Sequence, residues 1–359
     1  MNLNELIHAE IARAGGWLGF DRFMSLALYA PGLGYYAGGR RKFGLMPEQG
    51  SDFVTAPELS PLFGRALARQ IAQALQQTGC REVVEFGAGS GALAAQLITE
   101  LDALGAGLAR YRIVELSASL RERQQERLAA WADRVEWLDE LPEALEAVCV
   151  GNEVLDAMPV QLLAFDGSRW CERGVIGAGA GFAFEDRDTA LRPPLEAAYV
   201  PGTVTEIHAQ AEAFVATLAR HLTRGALFLI DYGFPESEYY LPQRHGGTLM
   251  CHQAHRADPD PLVAVGDKDI TAHVNFTGIA LAGQAAGLEV LGYTSQGHFL
   301  LNCGLAELMA EADLPTRTMA HRLLAEHEMG ELFKVIGFAV AGAGFDALGF
   351  TRGDRTHRL

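Results

Sequence analysis

Residues 81–101, REVVEFGAGSGALAAQLITEL, constrain the fold of this chain more than any other stretch. The β-rich run Val83-Val84-Glu85-Phe86 leads directly into Gly87-Ala88-Gly89-Ser90-Gly91. Beyond it, Leu93, Leu97, Ile98, Leu101 and Leu104 recur at the spacing of one buried helix face. Strand, glycine turn and helix together predict the nucleotide-binding corner of a doubly wound α/β sheet. Glycines there let the backbone turn sharply and approach a ligand, whose anionic end meets free N–H groups at the helix start.

The spacing also bears on which nucleotide. Gly87, Gly89 and Ala92 satisfy the dinucleotide fingerprint G-x-G-x-x-G/A. The full pattern, however, is E-x-G-x-G-x-G, with Glu85 two residues before the first glycine. A carboxylate there repels a pyrophosphate and suits a cationic ligand, so S-adenosylmethionine is expected rather than NAD, with Gly87, Gly89 and Gly91 forming its loop. The next strand-like run, Tyr111-Arg112-Ile113-Val114, ends at Glu115, 24 residues after Gly91. That is where a ribose-binding carboxylate belongs; the alternative is a solvated acid at a strand end. Either cofactor carries a ribose, so Glu115 does not choose between them.

A chain of 359 residues, 49% of them apolar, has ample material for one large α/β core. Its net charge of −16 argues against a duplex nucleic acid partner, which wants a basic face. Cys80, Cys149, Cys171, Cys251 and Cys303 are scattered, without a C-x-x-C pair, so free thiols in a reducing cytoplasm are the expectation. The first residues lack a basic stretch followed by an apolar core, and no apolar run reaches membrane-spanning length.

Strand-like runs continue at Arg134–Trp137, Ala147–Asn152, Gly225–Asp231, Leu288–Tyr293 and Val335–Val340, most of them separated by amphipathic segments. Seven strands with the cofactor loop after the first is the plan of a class I methyltransferase, a Rossmann-like, mostly parallel sheet; a dinucleotide dehydrogenase usually has six. Three regions stand outside this alternation. Residues 1–60 hold a helix and the glycine- and tyrosine-rich YAPGLGYYAGGRRKFG, and residues 161–200 contain a hairpin-like LLAFDGSRW with an Asp166-Gly167 turn. Residues 234–276 are rich in Pro, His, Asp and Tyr, without regular apolar spacing. A structureless stretch of that length is usually functional. The expected organisation is an N-terminal cap, 1–60, and a catalytic domain, 61–359, with insertions at about 161–200 and 234–276, the cap and the second insertion covering the cleft.

With these pieces placed, the chain resembles the MidA family of SAM-dependent methyltransferases over nearly its whole length. The markers are FMSLALYAPGLGYY (23–36), GSDFVTAPELSPLFG (50–64), VEFGAGSGAL (84–93), GNEVLDAMPV (151–160), IDYGF (230–234), DITAHVNF (269–276) and MGELFKVIGF (329–338). The family more often carries Pro at the position of Ala88 and a larger residue at that of Ser90. The resemblance implies a protein-arginine methyltransferase that makes symmetric dimethylarginine on a peripheral-arm subunit of respiratory complex I. It also implies that the segment bearing Asp52, Thr55 and Glu58 folds over the cofactor; read without it, the same segment is a turn leading to an N-cap for a helix over 61–77.

Methyl transfer is an in-line displacement in which positioning in a dry cleft does most of the work. An arginine acceptor is charged at any working pH. Carboxylates must therefore orient its planar fork and accept a proton as the C–N bond forms. Glu153 and Asp156, after the fourth strand, are the expected catalytic pair, with Asn152 assigned to the cofactor; the alternative is a helix whose N-cap is Asn152. Asp231 is a weaker candidate of the same kind, and Tyr35 and Tyr36 either line the cleft or pack. His245, Cys251, His252 and His255 lack the spacing of a zinc module, so no metal is expected. His273 and Asn275 are plausible on the acceptor side. Three other readings remain open: a different methyl acceptor, a SAM-binding assembly factor without turnover, and a nicotinamide oxidoreductase.

Overall fold

The computed structural model describes residues 1–38 and 55–359. Its centre is a sheet of seven long strands: β1 (Glu82–Phe86), β2 (Arg110–Val114), β3 (Val135–Leu138), β4 (Leu145–Asn152), β5 (Leu222–Phe234), β6 (Leu288–Ser295) and β7 (Phe333–Val340). They lie in the order β3-β2-β1-β4-β5-β7-β6. The pairs from β3 through β5 are parallel, whereas β7 runs antiparallel to both β5 and β6. This is the class I methyltransferase plan, and each of the seven expected runs is a strand in it. β5 extends beyond the expected end at Asp231, and a short strand, Val274–Asn275, pairs with that extension.

Adjacent residues of the central strands serve opposite faces, as a pleated sheet requires. Val83, Val148 and Phe228 join one core, under helices Pro61–Thr78 and Ala92–Ala103. Val84, Cys149 and Leu227 join the other, under helices Ala209–His221 and Phe276–Ala285. Cover on both faces explains why β5 reads from Ala226 to Ile230 as an unbroken apolar run rather than an alternating one. Truncating one of these buried side chains to alanine costs about 2–5 kcal/mol. Because the chain leaves β1 towards β2 and β3, then returns as β4 on the other side of β1, a crevice opens at the C-terminal ends of β1 and β4.

The regions outside the alternation are more ordered than their sequences suggest. Residues 161–207 form an antiparallel sheet from Gln161–Phe165, Trp170–Ala178, Gly181–Asp188 and Val204–Ile207, joined by Leu18–Gly19. The expected hairpin is present: Phe165 pairs with Trp170, and Asp166 accepts the N–H groups of Ser168 and Arg169 across the turn. Against this sheet pack helices Leu3–Arg13 and Phe20–Tyr29, in a third core that includes Ile7, Phe23, Leu162, Val175, Cys251 and Ile270. The N-terminal segment and both insertions therefore share one apolar core. Residues 234–276 are not structureless; they hold a helical turn, Glu236–Tyr239, and a small sheet from Met250–Gln253, Arg256–Asp258 and Asp269–Thr271. Strands of three or four residues are too short to show a periodicity. Among the described residues no helix is long and apolar enough to cross a membrane.

Candidate active site

A cavity of about 1310 Å³ occupies the crevice, walled by the glycine loop, the ends of β2, β4 and β5, the helix Phe20–Tyr29 and residues 244–252. At one end Gly87 and Gly89 line the cavity, and together with the neighbouring Gly91 they adopt positive φ (65°, 54° and 78°), which makes the glycines a conformational requirement. Gly91 stands at the N-cap of helix Ala92–Ala103. Gln124, which the sequence did not single out, donates from Nε2 to Gly89 O at 2.9 Å and to Glu115 Oε2 at 2.9 Å. It thus ties the loop to the expected ribose carboxylate. Glu115 Oε1 accepts the N–H of Ser117 at 2.9 Å, and burial raises the pKa of this carboxyl.

Glu85 also lines the cavity, but its carboxyl accepts the Tyr111 hydroxyl at 2.6 Å. Burial pushes it up to about 8, so the negative charge suggested by its position before Gly87 is largely neutralised at pH 7. Thr55 lines the wall at the start of the short helix Ala56–Leu59, and Asp52 lies outside the described residues. Glu58 accepts a hydrogen bond from Ser90 of the glycine loop, and Arg127 donates to both, at 2.8 Å to Ser90 and 3.2 Å to Glu58.

At the end of β4 no helix follows Asn152, which removes the N-cap alternative. Asn152 Nδ2 donates instead to Glu153 Oε1 at 3.0 Å, while its Oδ1 is buried without a partner. Glu153 has φ +55°, a backbone conformation that costs a non-glycine residue about 1–3 kcal/mol. The turn is held from β5: Asp231 Oδ2 accepts the N–H groups of Val154, Leu155 and Asp156, and Oδ1 that of Tyr232. Burial raises the pKa of Asp231, with Asp156 and Glu153 adding to it. Burial, reinforced by Asp156, pushes Glu153 up to about 8, while Asn152 and the N–H of Ala56 oppose the shift. Asp156 is pushed up by burial to about 6; its Oδ2 accepts the Tyr232 hydroxyl, and its Oδ1 is buried and unpartnered.

Further along the wall, Tyr29 donates to Ala157 O at 2.8 Å and stacks on Tyr36 with ring centroids 5.5 Å apart. Tyr36 in turn donates to Asp269 at 2.9 Å. Tyr35 packs in the third core and Asn275 caps helix Phe276–Ala285, so neither faces the cavity. His252 and His273 do face it, whereas Cys251 is buried in the small sheet and the carbonyl of His245 accepts the N–H of Val204. Among the described residues no group of three or more His, Cys, Asp or Glu is disposed to hold a metal. Tyr29, Tyr232 and Asp269 escaped notice as site residues because nothing in their local spacing separates a wall tyrosine or acid from a packed one.

A family model described as "Putative S-adenosyl-L-methionine-dependent methyltransferase" matches residues 66–294. The chain belongs to this family. Among solved structures, a "likely methyl transferase" from Burkholderia thailandensis bound to S-adenosyl-homocysteine is 53% identical, with a TM-score of 0.95, covering 99% of this chain and 96% of that one. A curated relative, the mitochondrial protein arginine methyltransferase NDUFAF7 homolog of Drosophila melanogaster, is 26% identical over 91% of this chain and 79% of its own length. The human protein arginine methyltransferase NDUFAF7 is 24% identical over 79% of this chain and 69% of its own. The site fits the family's cofactor, S-adenosylmethionine: Gly87 and Gly89, both at positive φ, line the cavity, the carboxylate of Glu115 lines it at the end of β2, and Asn152 Oδ1, unpartnered among the described residues, is an acceptor that an ammonium group could use.

Proposed function

We propose that this methyltransferase acts on arginine side chains of a protein, making symmetric dimethylarginine on a subunit of the respiratory complex I type. The observation that carries the reading is the buried acceptor group at the end of β4. Glu153 and Asp156 stand together in the cavity, and among the described residues Asp156 Oδ1 has no donor. A guanidinium brings five N–H donors in one plane and a charge that two raised-pKa carboxyls would welcome. The arginine clause is supported by distant relatives named as protein arginine methyltransferases, and the complex I clause comes from the resemblance to the MidA family alone.

In this reading S-adenosylmethionine, held by the glycine loop, Glu115 and Asn152, supplies the methyl group. Glu153 and Asp156 hold the guanidinium so that one terminal nitrogen faces the methyl. As the N–C bond forms and the C–S bond breaks, the proton leaving that nitrogen passes to a carboxylate, with Glu153 first in line. Binding the cation lowers the carboxyl pKa values, so both acids are ionised when they are needed. The described residues of the N-terminal segment, 1–38 and 55–60, and the insertion 234–276 serve as the cover that keeps water out. Incubating the protein with labelled methyl donor and cell extract, followed by mass spectrometry of labelled bands, tests the reading. Label on ω-nitrogens of arginine supports it, whereas label on lysine or on a small molecule only would move the function to another acceptor.

A further inference from the structure

We propose that Arg244 is a specificity residue that binds a carboxylate of the acceptor polypeptide, set within a few residues of the methylated arginine. The inference rests on the arginine reading above. Seven carboxylic acids line the cavity, while Arg244 is the only lysine or arginine among its described wall residues. Its guanidinium donates from Nε to the carbonyl of Glu238 at 2.9 Å and lies 3.8 Å over the Phe234 ring. Among the described residues neither terminal nitrogen has a hydrogen-bond partner, and no carboxylate forms an ion pair with it. Packing on Phe234 accounts for the plane of the fork but leaves its outward donors unmet. A fork held flat on a ring at the wall of a cavity, with its terminal donors unmet, is the arrangement that can take a carboxylate in two parallel hydrogen bonds.

The position of Arg244 separates it from the cofactor end. The Phe234 ring lies 5.2 Å from that of His273, which lies 5.1 Å from that of Tyr232, whose hydroxyl donates to Asp156. Arg244 therefore stands one aromatic ladder away from the proposed guanidinium site. At about 3.3–3.6 Å per extended residue, that ladder corresponds to at most roughly four residues of acceptor chain. His273 contributes no charge here. Burial, and after it Arg244 and Lys334, lower its pKa to about 4, and its Nδ1 is buried without a partner. Lys334 is tied to the carbonyls of Glu331 and Leu332. An acceptor that offers its arginine to the acidic end would meet a single available cation at the other. An acidic residue nearby satisfies both.

The test uses the full-length protein saturated with S-adenosyl-homocysteine and blocked peptides carrying one central arginine. Each peptide has a glutamate, or a glutamine in its place, at an offset of one to five residues on either side. The glutamate peptide should bind at least five-fold tighter than its glutamine twin at one offset or more. Arg244→Gln should abolish that preference, Arg244→Lys should keep part of it, and neither should alter S-adenosyl-homocysteine affinity. Glutamate and glutamine peptides binding alike, a preference that survives Arg244→Gln, or a loss of cofactor affinity in that variant would each overturn the proposal. Replacing the central arginine by glutamine separates the two levels. If that change alone weakens binding while the glutamate offset has no effect, the arginine reading stands and the role of Arg244 falls. If the central residue does not matter, both fall.

Discussion

Asp231, within β5, accepts the backbone N–H of Leu155 at 2.9 Å and so holds the turn that follows β4. The same oxygen takes the N–H groups of Val154 and Asp156. One buried acid thus sets the backbone on which Glu153 and Asp156 stand. Asp231→Asn turns one side of this group into a donor facing other donors, at about 1–3 kcal/mol for each buried group left unsatisfied. The variant should melt lower and lose turnover, yet still gain stability from S-adenosylmethionine, because the glycine loop is untouched. Thermal melts with and without cofactor, alongside a methylation assay, check this; wild-type turnover in the variant would remove Asp231 from the positioning role.

The cofactor loop makes a second prediction. S-adenosylmethionine binds only the folded protein and should raise its melting temperature, whereas NADH should not. Gly89 has φ +54°, so Gly89→Val places a β-branched side chain in a conformation it resists, beside the ligand. The S-adenosylmethionine shift should vanish in that variant, and an undiminished shift would mean that the loop does not carry the cofactor.

Glu153→Gln keeps the shape and part of the hydrogen bonding of the native residue but removes the charge. Cofactor binding should survive while turnover falls roughly 10²-fold or more. Rapid-quench measurement of the methyl-transfer step, set against a cofactor-binding titration, separates the two effects.

The same residue predicts a pH dependence. The Glu153 carboxyl is pushed up to about 8 in the folded protein, against about 4.3 when unfolded. Between those values the folded state holds the extra proton, so stability falls as pH rises. His208 and His273, lowered to about 3 and about 4, act in the opposite sense, but only below about pH 6.5. From pH 7 to 8, then, the ligand-free protein should lose about 1 kcal/mol through Glu153, and Glu153→Gln should lose that much less. Glu85, also raised to about 8, keeps a slope in both proteins. Denaturant midpoints at the two pH values measure the difference, and equal slopes would show that Glu153 is ionised throughout.

Glu58 links the N-terminal segment to Ser90 and Arg127 beside the glycine loop. If residues 1–60 and 234–276 cover the cleft, their backbone amides should gain protection from hydrogen exchange when cofactor and an acceptor peptide bind. Glu58→Gln should speed release of S-adenosyl-homocysteine several-fold without displacing the glycine loop. Unchanged exchange in both segments would count against a cover.

Much of the fold was legible because its signals are local. Most central strands carry a short apolar core between helical patterns, as in residues 226–230 and 335–340, and Gly87, Gly89 and Gly91 have one clear use after a strand. The same holds for Glu115, whose place depends only on the length of one β-α-β unit. The Asp166 turn was readable too, since its hydrogen bonds close within three residues.

What the sequence determined by itself was the sheet, the cofactor corner and the strand ends from which carboxylates can reach a ligand. Tertiary structure alone decided the rest. It turned Glu85 towards Tyr111 and raised its pKa by burial, set Asp231 beneath the turn after β4, and made Asn275 a cap rather than a wall residue. It also joined residues 1–38, 161–207 and 250–271 through one core, and left Arg244 facing an acidic cavity. The reason is physical. Strand and turn preferences act over a few residues, whereas burial, hydrogen bonding and pKa depend on which distant side chains surround a group, and Asp231 and Leu155 are brought together across 76 positions of chain.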